Sequence, residues 1–217
     1  MSMPFLKKLL QRGTTSSELS AQSTDAGEAL VAPGKAKYEE LTRQGKSFHV
    51  TATTPTVGVV ALPTRAAGIA LWNSAEDGGL SIVIDAIYAI CCVGAGTLGQ
   101  YGMICVAGQT DVAAVARTLI PRKNNGNGPG YDSVANIAAG GNTVLDSVTG
   151  VAIGWIPFGD TANRTLTATP GAVLMAPVDG RIIVPPARAF GVNVMCDHVD
   201  NTFECGIMWH EVQLTNG

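Results

Sequence analysis

From Lys46 onward the chain alternates short apolar runs with clusters of Gly, Pro, Asn and Asp. Val, Ile, Thr and aromatic residues are concentrated in the runs, which predicts β-strands. The pattern places them at Ser47–Thr53, Val57–Leu62, Ile69–Asn73, Leu80–Val93, Gln100–Ala107, Val151–Pro157, Ala172–Ala176, Arg181–Val184, Ala189–His198 and Phe203–Leu214. One stretch, Thr110–Pro121, has helical spacing, with Val112, Val115, Ala116 and Leu119 on one side and Pro121 as a stop. Many short strands with turn signals between them predict an all-β fold, a jelly-roll-like antiparallel sandwich. The Asn/Gly-rich stretch Arg122–Asp132 predicts a long flexible loop, of the kind that is either functional or disordered.

The last two runs predict a hairpin with Asp200-Asn201 at its turn. Cys196 then opposes Cys205, Val192 opposes Trp209 and His198 opposes Phe203. Opposed residues share a face, so Val192, Val194, Cys196, His198, Phe203, Cys205, Ile207 and Trp209 form a core face. His210 falls on the other face, away from both cysteines. Two buried thiols are the leading reading of Cys196 and Cys205, because Cys is among the most buried residue types. A cross-strand disulfide is geometrically open. A metal site with His198 is disfavoured, since successive same-face residues lie roughly 6.6 Å apart and zinc needs ligands within about 2.0–2.3 Å.

Residues 1–45 have a different texture, rich in Ser, Thr, Gly, Ala and charge, and predict a partly extended arm preceding a domain at 46–217. Phe5, Leu6, Leu9 and Leu10 lie on one side of a short amphipathic start and, with Tyr38, are candidate assembly contacts. A short helix fits around Tyr38–Arg43. The N-terminus lacks the apolar core of a signal peptide. No apolar run reaches the length of about 18 residues that a transmembrane helix needs.

Charge sharpens the contrast. Residues 1–46 hold seven of the fourteen Lys and Arg and five of the seventeen acids. The remaining 171 positions hold seven basic and twelve acidic residues, with Lys123 the single lysine. A surface so poor in charge points to contacts between copies. Its negative balance argues against a grip on nucleic acid backbone.

Chemical motifs are sparse. Gly94-Ala95-Gly96-Thr97-Leu98-Gly99 matches GxGxxG after an apolar strand, but the following residues favour a strand and no acid ends a second strand at the dinucleotide spacing. It reads as a connection between two antiparallel strands. A nucleotide-dependent enzyme using Gly94–Gly99 stays open as an alternative. Five cysteines without CxxC give neither a disulfide framework nor a zinc finger, and point to folding in a reducing cytoplasm. No cofactor is expected, and no catalytic or metal residue is assigned.

The segments "GRIIVPPARAFGVNVMC" and "FECGIMWHEV", with "GKSFHVTATTPTVGVVALPT" near the start, resemble small β-sandwich virion proteins of tailed bacteriophages. The likeness rests on Ile183, Val184, Pro185 and Pro186, then Trp209, Glu211 and Val212. The family's glycine after Pro-Pro is Ala187 here. The resemblance implies a non-enzymatic, homo-oligomeric subunit in the virion: a decoration, vertex or head protein. It would be made in the host cytoplasm and contact copies of itself and a major capsid protein, with no membrane. A receptor- or glycan-binding tail module is the alternative.

Overall fold

A computed structural model describes residues 22–23, 29–30, 37–64, 66–76, 79–93, 99–109, 118–145, 154–164, 173–198 and 200–214. The chain divides into two compact units, Met1–Glu40 and Leu41–Gly217. In the first, β1 (Gln22–Ser23) and β2 (Ala29–Leu30) pair antiparallel. The short helix α1 spans Glu39–Arg43. The second unit takes in residues 41–45, which composition groups with the arm; the Lys46 and Gly45 amides donate to the Leu41 and Thr42 carbonyls.

The second unit is an all-β sandwich of two antiparallel sheets. Its strands are β3 (Ser47–Thr51), β4 (Thr56–Val57), β5 (Ala66–Asn73), β6 (Leu80–Val93), β7 (Gly99–Gln109), β8 (Arg122–Lys123), β9 (Ala135–Val144), β10 (Ile156–Arg164), β11 (Val173–Val184), β12 (Ala189–Cys196) and β13 (Thr202–Gln213). The five-stranded sheet runs β10-β7-β12-β5-β9. The six-stranded sheet runs β11-β6-β13-β3-β8, with β4 beside β13. The predicted run Val57–Leu62 is instead a crossing: β4 pairs β13, and Val59 bridges to Met195 of β12 in the other sheet.

Alternating side chains from both sheets fill the space between them. Phe48, Ile84, Ile87, Phe203 and Trp209 enter from the six-stranded sheet, and Ile69, Leu71, Phe190 and Val192 from the five-stranded one. β6 keeps its apolar phase through a bulge. Ala86 and Ile84 pair with consecutive residues Met208 and Trp209 of β13, leaving Asp85 as the extra residue. Ile82 and Ile84 before the bulge, and Ile87 and Ala89 after it, therefore all face inward.

Three expectations are corrected. Ala135–Val144, absent from the predicted strands, is the edge strand β9. Thr118–Pro121, the described end of the predicted helix, is extended: the Thr118 and Leu119 amides donate to the Ile137 carbonyl. Residues 110–117 lie outside the described residues. The Arg122–Asp132 stretch is a tied turn, in which the Lys123 amide donates to the Gly128 carbonyl and Gly126 to Lys123.

Candidate functional site

The predicted terminal hairpin does not form. β12 lies between β7 and β5, while β13 lies between β6 and β3 in the opposite sheet. Both are central strands, so neither has a free edge to offer the other. Residues 197–201 therefore carry the chain across the sandwich. The face assignments of the strand residues hold, because alternation does not depend on the partner. Cys196, Cys205, Ile207 and Trp209 are all buried in the core.

His198 is the exception. Placed on the core face by the hairpin reading, it sits past the end of β12 with a side chain 39% exposed. Its Nδ1 accepts the Asp200 amide at 3.2 Å. Cys196 and Cys205 are free thiols. The Cys196 thiol donates to the His198 carbonyl at 3.0 Å, and burial raises its pKa. Burial pushes the Cys205 and Cys105 thiols up to about 12. Such thiols stay protonated and unreactive. Among the described residues no three His, Cys, Asp or Glu side chains are grouped to hold a metal.

Gly94–Leu98 lie outside the described residues. Gly99 opens β7, which pairs with β10 and β12, where a dinucleotide fingerprint would need a helix. β6 and β7 belong to different sheets, so the glycine-rich segment links the sheets and closes no hairpin. Phe5, Leu6, Leu9 and Leu10 lie outside the described residues. Tyr38 is half-buried, with the Lys37 ammonium 5.0 Å from its ring centroid.

Two buried carboxylates, Glu211 and Asp85, have partners that the sequence does not indicate. Glu211 ends the inner face of β13 at 2% exposure. Its Oε1 accepts from Ser133 Oγ at 2.6 Å, the Val134 amide at 3.2 Å and Trp209 Nε1 at 3.2 Å. Burial raises its pKa, with these donors opposing the rise. Asp85, turned outward by the bulge, meets His210 Nδ1 at 2.8 Å. Both pairings join residues more than seventy positions apart, so no local motif announces them.

On the outer face of the six-stranded sheet, β11 and β6 form an apolar row. Register aligns Val173 with Ile90, Met175 with Tyr88, Pro177 with Ala86 and Ile183 with Val83. Val173, Met175 and Ile183 remain 61%, 52% and 44% exposed. Tyr88 lies over Gly206, its cross-strand partner, and reaches the Thr51 hydroxyl and the Val50 carbonyl. The edge of β11 is blunted for strand pairing. Pro177 lacks an amide hydrogen, and a bulge follows in which Asp179 and Gly180 take positive φ.

The other side of that sheet carries the tied turn. Asn124 bonds Ser47 and His49, Gly130 packs on the Phe48 ring, and Lys123 meets Asp132 at 2.7 Å, holding that carboxyl below its ordinary range. Tyr131 is 65% exposed at its end.

Comparison with known proteins gave no match: no family model fits the chain, and no curated sequence or solved structure is similar to it.

Proposed function

We propose that this chain is a homo-oligomeric structural subunit of a tailed-phage virion, attached to the capsid as a decoration, vertex or head protein. The observation that carries the assembly part is the apolar row of β11 on the outer face of the six-stranded sheet, with Val173, Met175 and Ile183 open to solvent. A monomer rarely leaves such a row uncovered, and a body this poor in charge has little else to keep copies apart. Copies of the chain and a major capsid protein are its partners in this reading, with no catalysis and no membrane.

The strand order supports the finer, jelly-roll reading. Without β8 and β9, the sheets run β11-β6-β13-β3 and β10-β7-β12-β5. Successive strands mostly change sheets, as in two interlocked Greek keys. β9 is then an addition beside β5, and β8 one beside β3.

Light scattering on the full chain tests the reading. The wild type is expected as an oligomer at micromolar concentration, and Met175→Ser combined with Ile183→Ser should lower its mass while leaving the β-fold intact by circular dichroism. A monodisperse wild-type monomer would overturn it. The tail-module alternative draws on Tyr131, exposed on a firmly anchored turn. Host-cell binding abolished by Tyr131→Ala, with assembly unchanged, would favour that alternative.

A further inference from the structure

We propose that the cleft between β3 and the Thr118–Arg122 segment binds an extended, acidic peptide of a partner protein, adding it as a strand to the free edge of β3. The cleft holds about 400 Å³, within the roughly 300–1,000 Å³ of ligand pockets. Its walls are two stretches of chain that start paired and then part. Phe48 and His49 pair with Lys123 and Arg122, and there the pairing stops. Beyond it, Thr118 and Leu119 turn their amides to Ile137 of β9 instead.

The parting leaves a strand edge open. The Ala52 amide donates to the Cys205 carbonyl and the Lys46 carbonyl accepts from Glu211, so even-numbered residues of this stretch turn their backbone toward β13. The Ser47 carbonyl accepts from the Asn124 amide on the opposite edge. Alternation then turns the Thr51 amide and carbonyl into the cleft, and no described strand pairs with them there. An open edge bounded by a second wall is the geometry that takes up a peptide by main-chain hydrogen bonding.

The side chains state the preferred sequence. Leu119 and Ile120 supply apolar contact. Arg122 and His49 are directly opposed at the rim. Arg122 is exposed and has no ion-pair partner among the described residues. Asn124 Oδ1 accepts from His49 Nδ1 at 2.6 Å, while the same amide donates to Ser47 Oγ. The Nδ1 proton is thereby committed to Asn124, so Arg122 is the donor that this rim offers an incoming acceptor. A carboxylate on the incoming strand fits this rim, since guanidinium–carboxylate bonds are charge-assisted and directional.

The probe is a short fluorescein-labelled peptide of alternating valine and threonine with one central glutamate, titrated into the full chain by anisotropy. It should bind saturably, and a glutamine-centred peptide should bind roughly tenfold more weakly. Arg122→Ala should erase that difference. Thr51→Pro removes an amide hydrogen from the cleft edge without touching the bonds to β13, and should abolish binding of both peptides. Should Thr51→Pro fail to fold, the glutamate peptide N-methylated at alternate amides replaces that arm, and one of its two methylation phases should not bind. No saturable binding to the wild type overturns the proposal. So does unchanged glutamate preference in Arg122→Ala, or full binding by both N-methylated peptides.

Discussion

The outer faces of the two sheets are finished differently. On the five-stranded sheet, small residues line the face: Ala67, Ala70, Ala138 and Ala189, with Gly191 among them. Leu145 and Trp155 pack over them, and Trp155 Nε1 donates to the Pro63 carbonyl at 2.6 Å. A side chain at Gly191 would come within 2.8 Å of Leu145, so the covering sits directly on the backbone. On the six-stranded sheet the outer face carries large side chains, and Val173, Met175 and Ile183 stay open. One face is closed by the chain's own residues; the other presents apolar area that folding of the described residues leaves uncovered. The second face is therefore where an assembly contact gains most.

Removing the cover is the strongest test of this contrast. Trp155→Ala should cost about 3–5 kcal/mol, the range for a buried aromatic, and expose Ile104 and Val106. Chemical denaturation measures the cost, and ANS fluorescence of the folded variant should rise. A loss below about 1 kcal/mol, typical of surface sites, would mean that the five-stranded face is no better closed than the other.

The open face has one ordered feature, Tyr88 seated on Gly206. A methyl group at residue 206 would collide with the ring, so Gly206→Ala must displace Tyr88 from Thr51 and Val50. The expected cost is about 1–3 kcal/mol, as for other overpacked sites, read from the denaturation midpoint. Gly206→Ala combined with Tyr88→Ala should recover part of it. A fully additive pair would show that Tyr88 does not depend on Gly206.

The smallest effect concerns the edge between the faces, at Glu211. Its carboxyl pKa is raised in the fold by burial, so the folded state holds a proton more tightly than the unfolded chain. That contribution is present below the ordinary carboxylate range, near about 4.3, and is lost as pH rises through the folded value. Glu211→Gln keeps an acceptor for Ser133 and Trp209 but cannot titrate. Its stability relative to wild type should therefore climb as pH is raised from about 4, followed by thermal melts across the range. Parallel pH profiles for the two proteins would refute the assignment.

Ala187 connects sequence and structure differently. The resemblance put a glycine where this chain has alanine, and Ala187 takes φ of 56°, the left-handed region glycine favours. The turn Pro185–Arg188 takes the chain from β11 to β12 in the other sheet, so a sharp backbone there serves a change of layer.

Period-two alternation, read from the chain alone, determined which residues face the core. Phe203, Cys205, Ile207 and Trp209 follow it, and Leu80–Val93 has the bounds its apolar run predicts. Alternation is a local property of extended backbone, indifferent to what lies alongside. Pairing is not local. The segment Asp197–Asn201 suits a hairpin turn as well as a passage between sheets, and only the occupied edges of β12 and β13 decide between them. The same holds for β9, whose Ala and Gly residues carry little strand preference until β5 supplies an edge. It holds too for Glu211 with Ser133 and Asp85 with His210, where tertiary structure alone brings distant residues within hydrogen-bonding distance.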